Sequence, residues 1–135
     1  MSKISDLHAV LRPASPNTCL SVPEGYRTAS LADAVSPVFD LSAKELADHA
    51  VRLWSEEARV SLAERSSDDL QAHFIATTAL MRFKDDIHCE FVDLGDGKSS
   101  VAIYSASRVG YSDLGTNRKR VEHWLNILRE AIKGA

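Results

Sequence analysis

The sequence predicts an α+β domain: a four- to five-stranded antiparallel sheet with two helices packed on one face, in the order (β)-α-β-β-β-β-α. Three observations predict it. Apolar residues recur at helical spacing in two stretches, one before and one after the middle of the chain. Between those stretches lie four short runs in which apolar and polar residues alternate. The connections between the runs are too short for crossover helices, so the strands pair as antiparallel neighbours. Packing both helical stripes on one side of the sheet is the economical arrangement.

The elements follow in order. All four prolines fall between Pro13 and Pro37, accompanied by Ser, Thr, Asn and Gly. Residues 1–36 are therefore expected to be an irregular Pro-containing segment, wrapped over the domain or partly mobile, and residues 37–135 a single α+β domain. Val38 and Phe39 are expected to start a short first strand. Ser42 caps the first helix, with Glu45 at the capping-box position. Leu46, Ala50, Leu53 and Trp54 mark its buried face. The period then changes to two. Val60 and Leu62 alternate with Arg59 and Ser61, and Ser66 to Asp69 make a turn. Leu70, Ala72, Phe74 and Ala76 alternate with Gln71, His73 and Thr77. Ile87, Cys89 and Phe91 alternate with His88, Glu90 and Val92. Gly95-Asp96-Gly97 signals a hairpin, after which Val101 and Ile103 alternate with Ala102 and Tyr104. A last helix is expected from about Asn117, with Thr116 as its N-cap. Val121, Trp124, Leu125, Leu128 and Ile132 form its apolar stripe.

Composition bounds the function classes. A chain of 135 residues with 44% hydrophobic and 26% charged content fits one globular core. A net charge of −3 argues against a nucleic-acid partner. No apolar run approaches the length of a membrane span, so no membrane partner is expected. Met1 to Arg12 contains no leader core, and a cytoplasmic location is expected. Cys19 and Cys89 show no metal or redox spacing and read as buried free thiols. With no P-loop, dinucleotide fingerprint, HExxH or EF-hand, no cofactor is expected.

The most informative stretch is SASRVGYSDLGTNRKRVE, from Ser105 to Glu122. Arg108, Arg118, Lys119 and Arg120 lie close in sequence to Asp113. Three of these cations fall at a helix start, the electropositive end, where something must compensate them. Two readings use the same residues. In one, helix-start N–H groups and guanidinium forks bind a phosphate or carboxylate. In the other, Asp85, Asp86 and Asp113 neutralise the arginines and lock the last helix to the sheet.

Read from Ser107, SRVGYSDLG-x-NRKRVE resembles the signature of the domain-of-unknown-function family 1499. Pro16, Asn17 and Cys19 fit that family's Pro-Asn-Cys opening, with Thr18 inserted. Phe83-Lys84-Asp85-Asp86-Ile87 resembles its Phe-x-Asp-Asp-hydrophobic motif. The resemblance runs from Pro16 to Leu128 and implies a small α+β domain with no established activity. The element order also resembles a TATA-binding-protein-like fold, as a fold analogy.

Alternation divides the sheet into two faces. If Leu70, Phe74, Ile87, Phe91, Val101 and Ile103 face the helices, the other face carries Gln71, His73, Ile75, His88, Glu90, Val92, Tyr104 and Arg108. That mixed face reads as a solvated surface, a homodimer interface or a ligand groove. No metal site is expected, because Asp85 and Asp86 fall short of the oxygens a hard cation needs. His73, His88 and Glu90 also lack a spacing that enforces a metal site. Ser105, Ser107 and Ser112 lack a nucleophile elbow. The leading expectation is a non-enzymatic module binding a small anion or a partner carboxylate at the strand-to-helix junction. Its ligand-binding residues would come from Arg108, Tyr111, Asp113, Asn117, Arg118 and Arg120, with Asp85, Asp86, His88 and Tyr104 on the adjoining surfaces. The alternatives are a hydrolase- or transferase-like enzyme with an arginine-stabilised anionic transition state, and a scaffold that dimerises through the open sheet face.

Overall fold

The computed structural model describes residues 6–13, 17–79, 82–110 and 114–133. Its elements run β1 (Thr18–Val22), β2 (Ala34–Val35), α1 (Ala43–Ser55), β3 (Val60–Arg65), β4 (Gln71–Thr77), β5 (Lys84–Gly95), β6 (Lys98–Ser107) and α2 (Thr116–Lys133). The strands form one six-stranded mixed sheet in the order β2-β1-β6-β5-β4-β3. Only the β1–β2 pair is parallel. Both helices lie on one face, as expected.

Local chemistry accounts for the central elements. Ser42 Oγ accepts the amide of Glu45 while the Glu45 side chain returns to the Ser42 backbone, so α1 opens on a complete capping box. The β5–β6 hairpin turns at Asp96 and Gly97, both with positive φ (54° and 73°). That is the backbone a two-residue primed turn requires, and it is why an Asp-Gly pair sits there. Helix α2 opens at Thr116, which is inside the helix rather than its cap.

The N-terminal third corrects the expectation of an irregular segment over residues 1–36. Thr18–Val22 is a full strand, antiparallel to β6. Pro13, Pro23 and Pro37 flank β1 and β2 and take no place in them, so the missing amides cost no ladder bonds. Val38 and Phe39 do not start a strand. Phe39 makes one isolated bridge, to Ser99.

Two apolar clusters hold the sheet. On the helix side, Trp54 and Trp124 stack with centroids 4.9 Å apart, and Trp54 Nε1 donates to the Trp124 carbonyl at 3.0 Å. Phe74, Ile87, Phe91, Val101 and Ile103 pack beneath them, all buried. On the other face, Leu7, Val10 and Tyr26 cover Leu20, Val22, Ala102 and Tyr104. The face expected to be open is thus covered over β1 and β6 by the chain's own N-terminal segment. Among the described residues, no helix is long and apolar enough to cross a membrane.

Candidate functional site

The strand-to-helix junction contains two separate ionic assemblies, one on each face of the sheet. Adjacent strand residues point to opposite faces, and Asp85 and Asp86 do so. Asp85 lies on the helix side, its carboxylate 2.9 Å from Arg120 Nη2. Only 2% of the Asp85 side chain and 13% of the Arg120 side chain are exposed. Arg120 Nη1 also donates to Asn117 Oδ1 at 2.8 Å and to Ser105 Oγ at 3.2 Å.

Asn117 is fully buried and ties its own helix to β6 and to the entry of β1. Its amide nitrogen donates to the Asn17 carbonyl at 2.9 Å and to Ser107 Oγ at 2.8 Å. Its Oδ1 accepts the Ser105 hydroxyl at 2.5 Å. Asn17 extends the chain of bonds, donating from Nδ2 to the Gly110 carbonyl at 2.7 Å. This network joins α2 to β6 and the entry of β1 by hydrogen bonds, as a buried polar cluster requires. It reaches β5 through the Arg120–Asp85 ion pair, where Asp85 Oδ2 has no hydrogen-bond partner among the described residues.

The second assembly faces the other way. Arg108 grips Asp86 with two bonds, Nε to Oδ2 at 2.7 Å and Nη2 to Oδ1 at 2.8 Å. His73 Nε2 meets the same Oδ1 at 2.7 Å. Arg108, opposed by burial and helped by His73, holds the Asp86 carboxyl down at about 2. His73 stacks on His88, with centroids 4.3 Å apart. Burial first, and His73 second, depress the His88 imidazole to about 4, so it is neutral near pH 7. Tyr26 Oη donates to Glu90 Oε1 at 2.6 Å farther along this face.

The expected ligand-binding residues therefore divide. Arg108 is satisfied by Asp86, and Arg120 by Asp85. Asn117 is buried in the lock. Tyr104 is buried under the N-terminal segment, so it does not line an open face. His88 is buried between strands. Arg118 is exposed and lies 3.6 Å from Glu122, one turn on. Tyr111 and Asp113 lie outside the described residues. Among the described residues, no group of three or more His, Cys, Asp or Glu could hold a metal ion.

Successive helix residues are rotated by about 100°, so Arg118 and the Lys119–Arg120 pair look to different flanks of α2. On the Lys119 flank lies a concavity of about 600 Å3. Thr116, Lys119, Arg120 and His123 line it from α2, and Glu57 and Arg59 from the α1–β3 connection. His123 Nε2 meets Glu57 Oε1 at 2.8 Å, which occupies the one acid among the described lining residues. Arg59 Nε donates to the Thr77 carbonyl at 3.1 Å. Among the described residues neither Arg59 nor Lys119 has a carboxylate at ion-pair distance. The first turn of α2 contains no acid. Arg59, His123 and Thr116 were not singled out as site residues from sequence. Arg59 reads there as one polar position of an alternating strand, and nothing local links it to a helix sixty residues away.

Geometry and fold together define a small α+β domain whose terminal helix is clamped to its sheet by a buried polar lock. The chain belongs to the family described as Protein of unknown function (DUF1499), which matches residues 10–128. No curated protein matches it. Among solved structures, a START superfamily protein from Mycobacterium smegmatis is similar at 12% sequence identity. The match covers 73% of this chain and 94% of that one, with a TM-score of 0.44.

Proposed function

We propose that the protein is a non-enzymatic binding module for a small anion or a partner carboxylate, and that the anion sits in the concavity at the start of α2. One observation carries the reading. Lys119 and Arg59 converge on that concavity without a carboxylate partner among the described residues, beside the electropositive end of an 18-residue helix. Fixed cations and a helix start favour the same sign of ligand. Arg120, expected to bind directly, lines this concavity but is paired with Asp85, and Arg108 is paired with Asp86 on the other face of the sheet. An enzyme that moved protons through Asp85 or Asp86 would have to free them from guanidinium partners first, which disfavours the catalytic alternative.

Thermal unfolding with and without phosphate, sulfate and small carboxylates tests this. Saturating anion at about a hundred times its Kd adds roughly 2.7 kcal/mol and raises the midpoint. Lys119→Ala and Arg59→Ala keep the fold and lose that response, while Arg52→Ala, which removes an exposed cation of α1, keeps it. If no anion moves the wild-type midpoint, or both variants respond like wild type, the reading is wrong.

A further inference from the structure

Helix α2 has a second flank, and a groove runs along it. Between α2 and the sheet edge at β1 and β2 runs a groove of about 360 Å3. Cys19, Ala34, Val35, Val121 and Leu125 give it apolar walls. Burial, and then Asp33, push the Cys19 thiol up to about 11, so this wall is uncharged near neutral pH.

The polar rim is a stripe of α2: Arg118, Glu122, Asn126 and Arg129. Spacings of three and four residues put these side chains on one helix face. Asp33 faces them across the groove, with its carboxylate paired to Arg12 at 2.7 Å. Glu122 answers Arg118. Among the described residues, Arg129 donates only to the neutral Asn126 Oδ1, at 3.2 Å. Among the described lining residues, two guanidiniums then stand against one acid not already paired outside the groove.

We propose that this groove binds a small carboxylate with a short apolar tail. Arg129 and Arg118 receive the carboxylate, and Val35, Val121 and Leu125 receive the tail. The site is separate from the concavity at the start of α2 and does not depend on it. A carboxylate matches the single excess charge, whereas a phosphate monoester carries roughly 1.5 to 2 negative charges near neutral pH. The volume lies near the lower end of ligand pockets, which run from roughly 300 to 1,000 Å3. That points to a short tail.

Calorimetric titration of the full chain with octanoate, paired with amide NMR spectra, tests the proposal. 1-Octanol serves as the uncharged arm and inorganic phosphate as the tail-less arm. Octanoate is expected to bind in this groove and to shift the amides of Arg118, Leu125 and Arg129. Octanol binds at least tenfold more weakly, and phosphate does not displace octanoate. The double variant Arg118→Ala/Arg129→Ala weakens octanoate at least tenfold. Ala34→Phe, placed at an exposed position so that the fold survives, fills the groove and abolishes binding. The proposal is overturned if folded wild type does not bind octanoate, if octanol binds equally well, if phosphate competes, or if the folded variants bind like wild type.

Discussion

Asp85 and Asp86 are neighbours in the chain and anchor opposite sides of the sheet. Asp85 takes Arg120 of α2 on the helix side, and Asp86 takes Arg108 and His73 on the other. One dipeptide thereby fixes both the terminal helix and the end of β6. The two pairs differ in exposure. Asp85 is buried with its partner, whereas Arg108 is 43% exposed.

That difference sets the first prediction. Arg120→Ala leaves the Asp85 charge buried without its partner, a loss of about 3–5 kcal/mol. The thermal midpoint is expected to fall by roughly 10 °C or more. Arg118→Ala removes an exposed arginine whose partner is equally exposed, and its midpoint is expected to match wild type. Calorimetric scans of the two variants check this. Equal midpoints would remove Arg120 from the lock.

Asn117→Ala deletes donor and acceptor of the buried lock together. The Ser105 and Ser107 hydroxyls lose a partner, while the Asn17 carbonyl keeps the Ser107 amide. The expected loss is about 2–6 kcal/mol, at roughly 1–3 kcal/mol for each of the two hydroxyls. Urea unfolding measures it. A loss within error of zero would mean that water replaces the side chain.

Acid is expected to weaken the fold in two windows. In the unfolded chain His88 takes up its proton near the ordinary 6.5, but in the fold only at about 4. The unfolded state therefore binds more protons between these values, and stability falls as pH drops through them, by up to about 3 kcal/mol. Asp86 acts lower down. Its contribution is complete above the ordinary 3.8 and is lost as pH falls toward about 2. Urea midpoints taken from neutral pH down to the acid limit separate the two. His88→Phe is expected to flatten the upper window and leave the lower one. An unchanged upper slope in that variant would assign the effect to another group.

Both cysteines are buried and free. Burial raises the thiols, Cys19 to about 11 and Cys89 further. Thiolate is the reactive form, so Ellman's reagent is expected to find neither thiol quickly in the native protein and both in guanidinium. Rapid native labelling of Cys19 would show that the groove above it opens readily.

Several elements were legible in the residues alone. Ser42 and Glu45 announce α1, and Leu46, Ala50 and Trp54 its buried face. Asp96-Gly97 announces the hairpin, and strict alternation places His73 and His88 on one face. Strand β1 was not legible, for a physical reason. Cys19 packs toward the helices while Leu20 and Val22 pack under the N-terminal segment. A strand buried on both faces loses the alternation that identifies one, and nearby prolines made the stretch read as loop.

The class of fold, the two helical stripes, the faces of the central strands and the family are written in the residues, because periodicity, capping and turn chemistry act over short stretches. Which acid meets which arginine, that Asn117 bonds Asn17 across 100 positions, and which flank of α2 each cation serves emerge only in the folded chain. Those outcomes depend on contacts between distant segments, and no local pattern encodes the distance between two side chains until the sheet has brought them together.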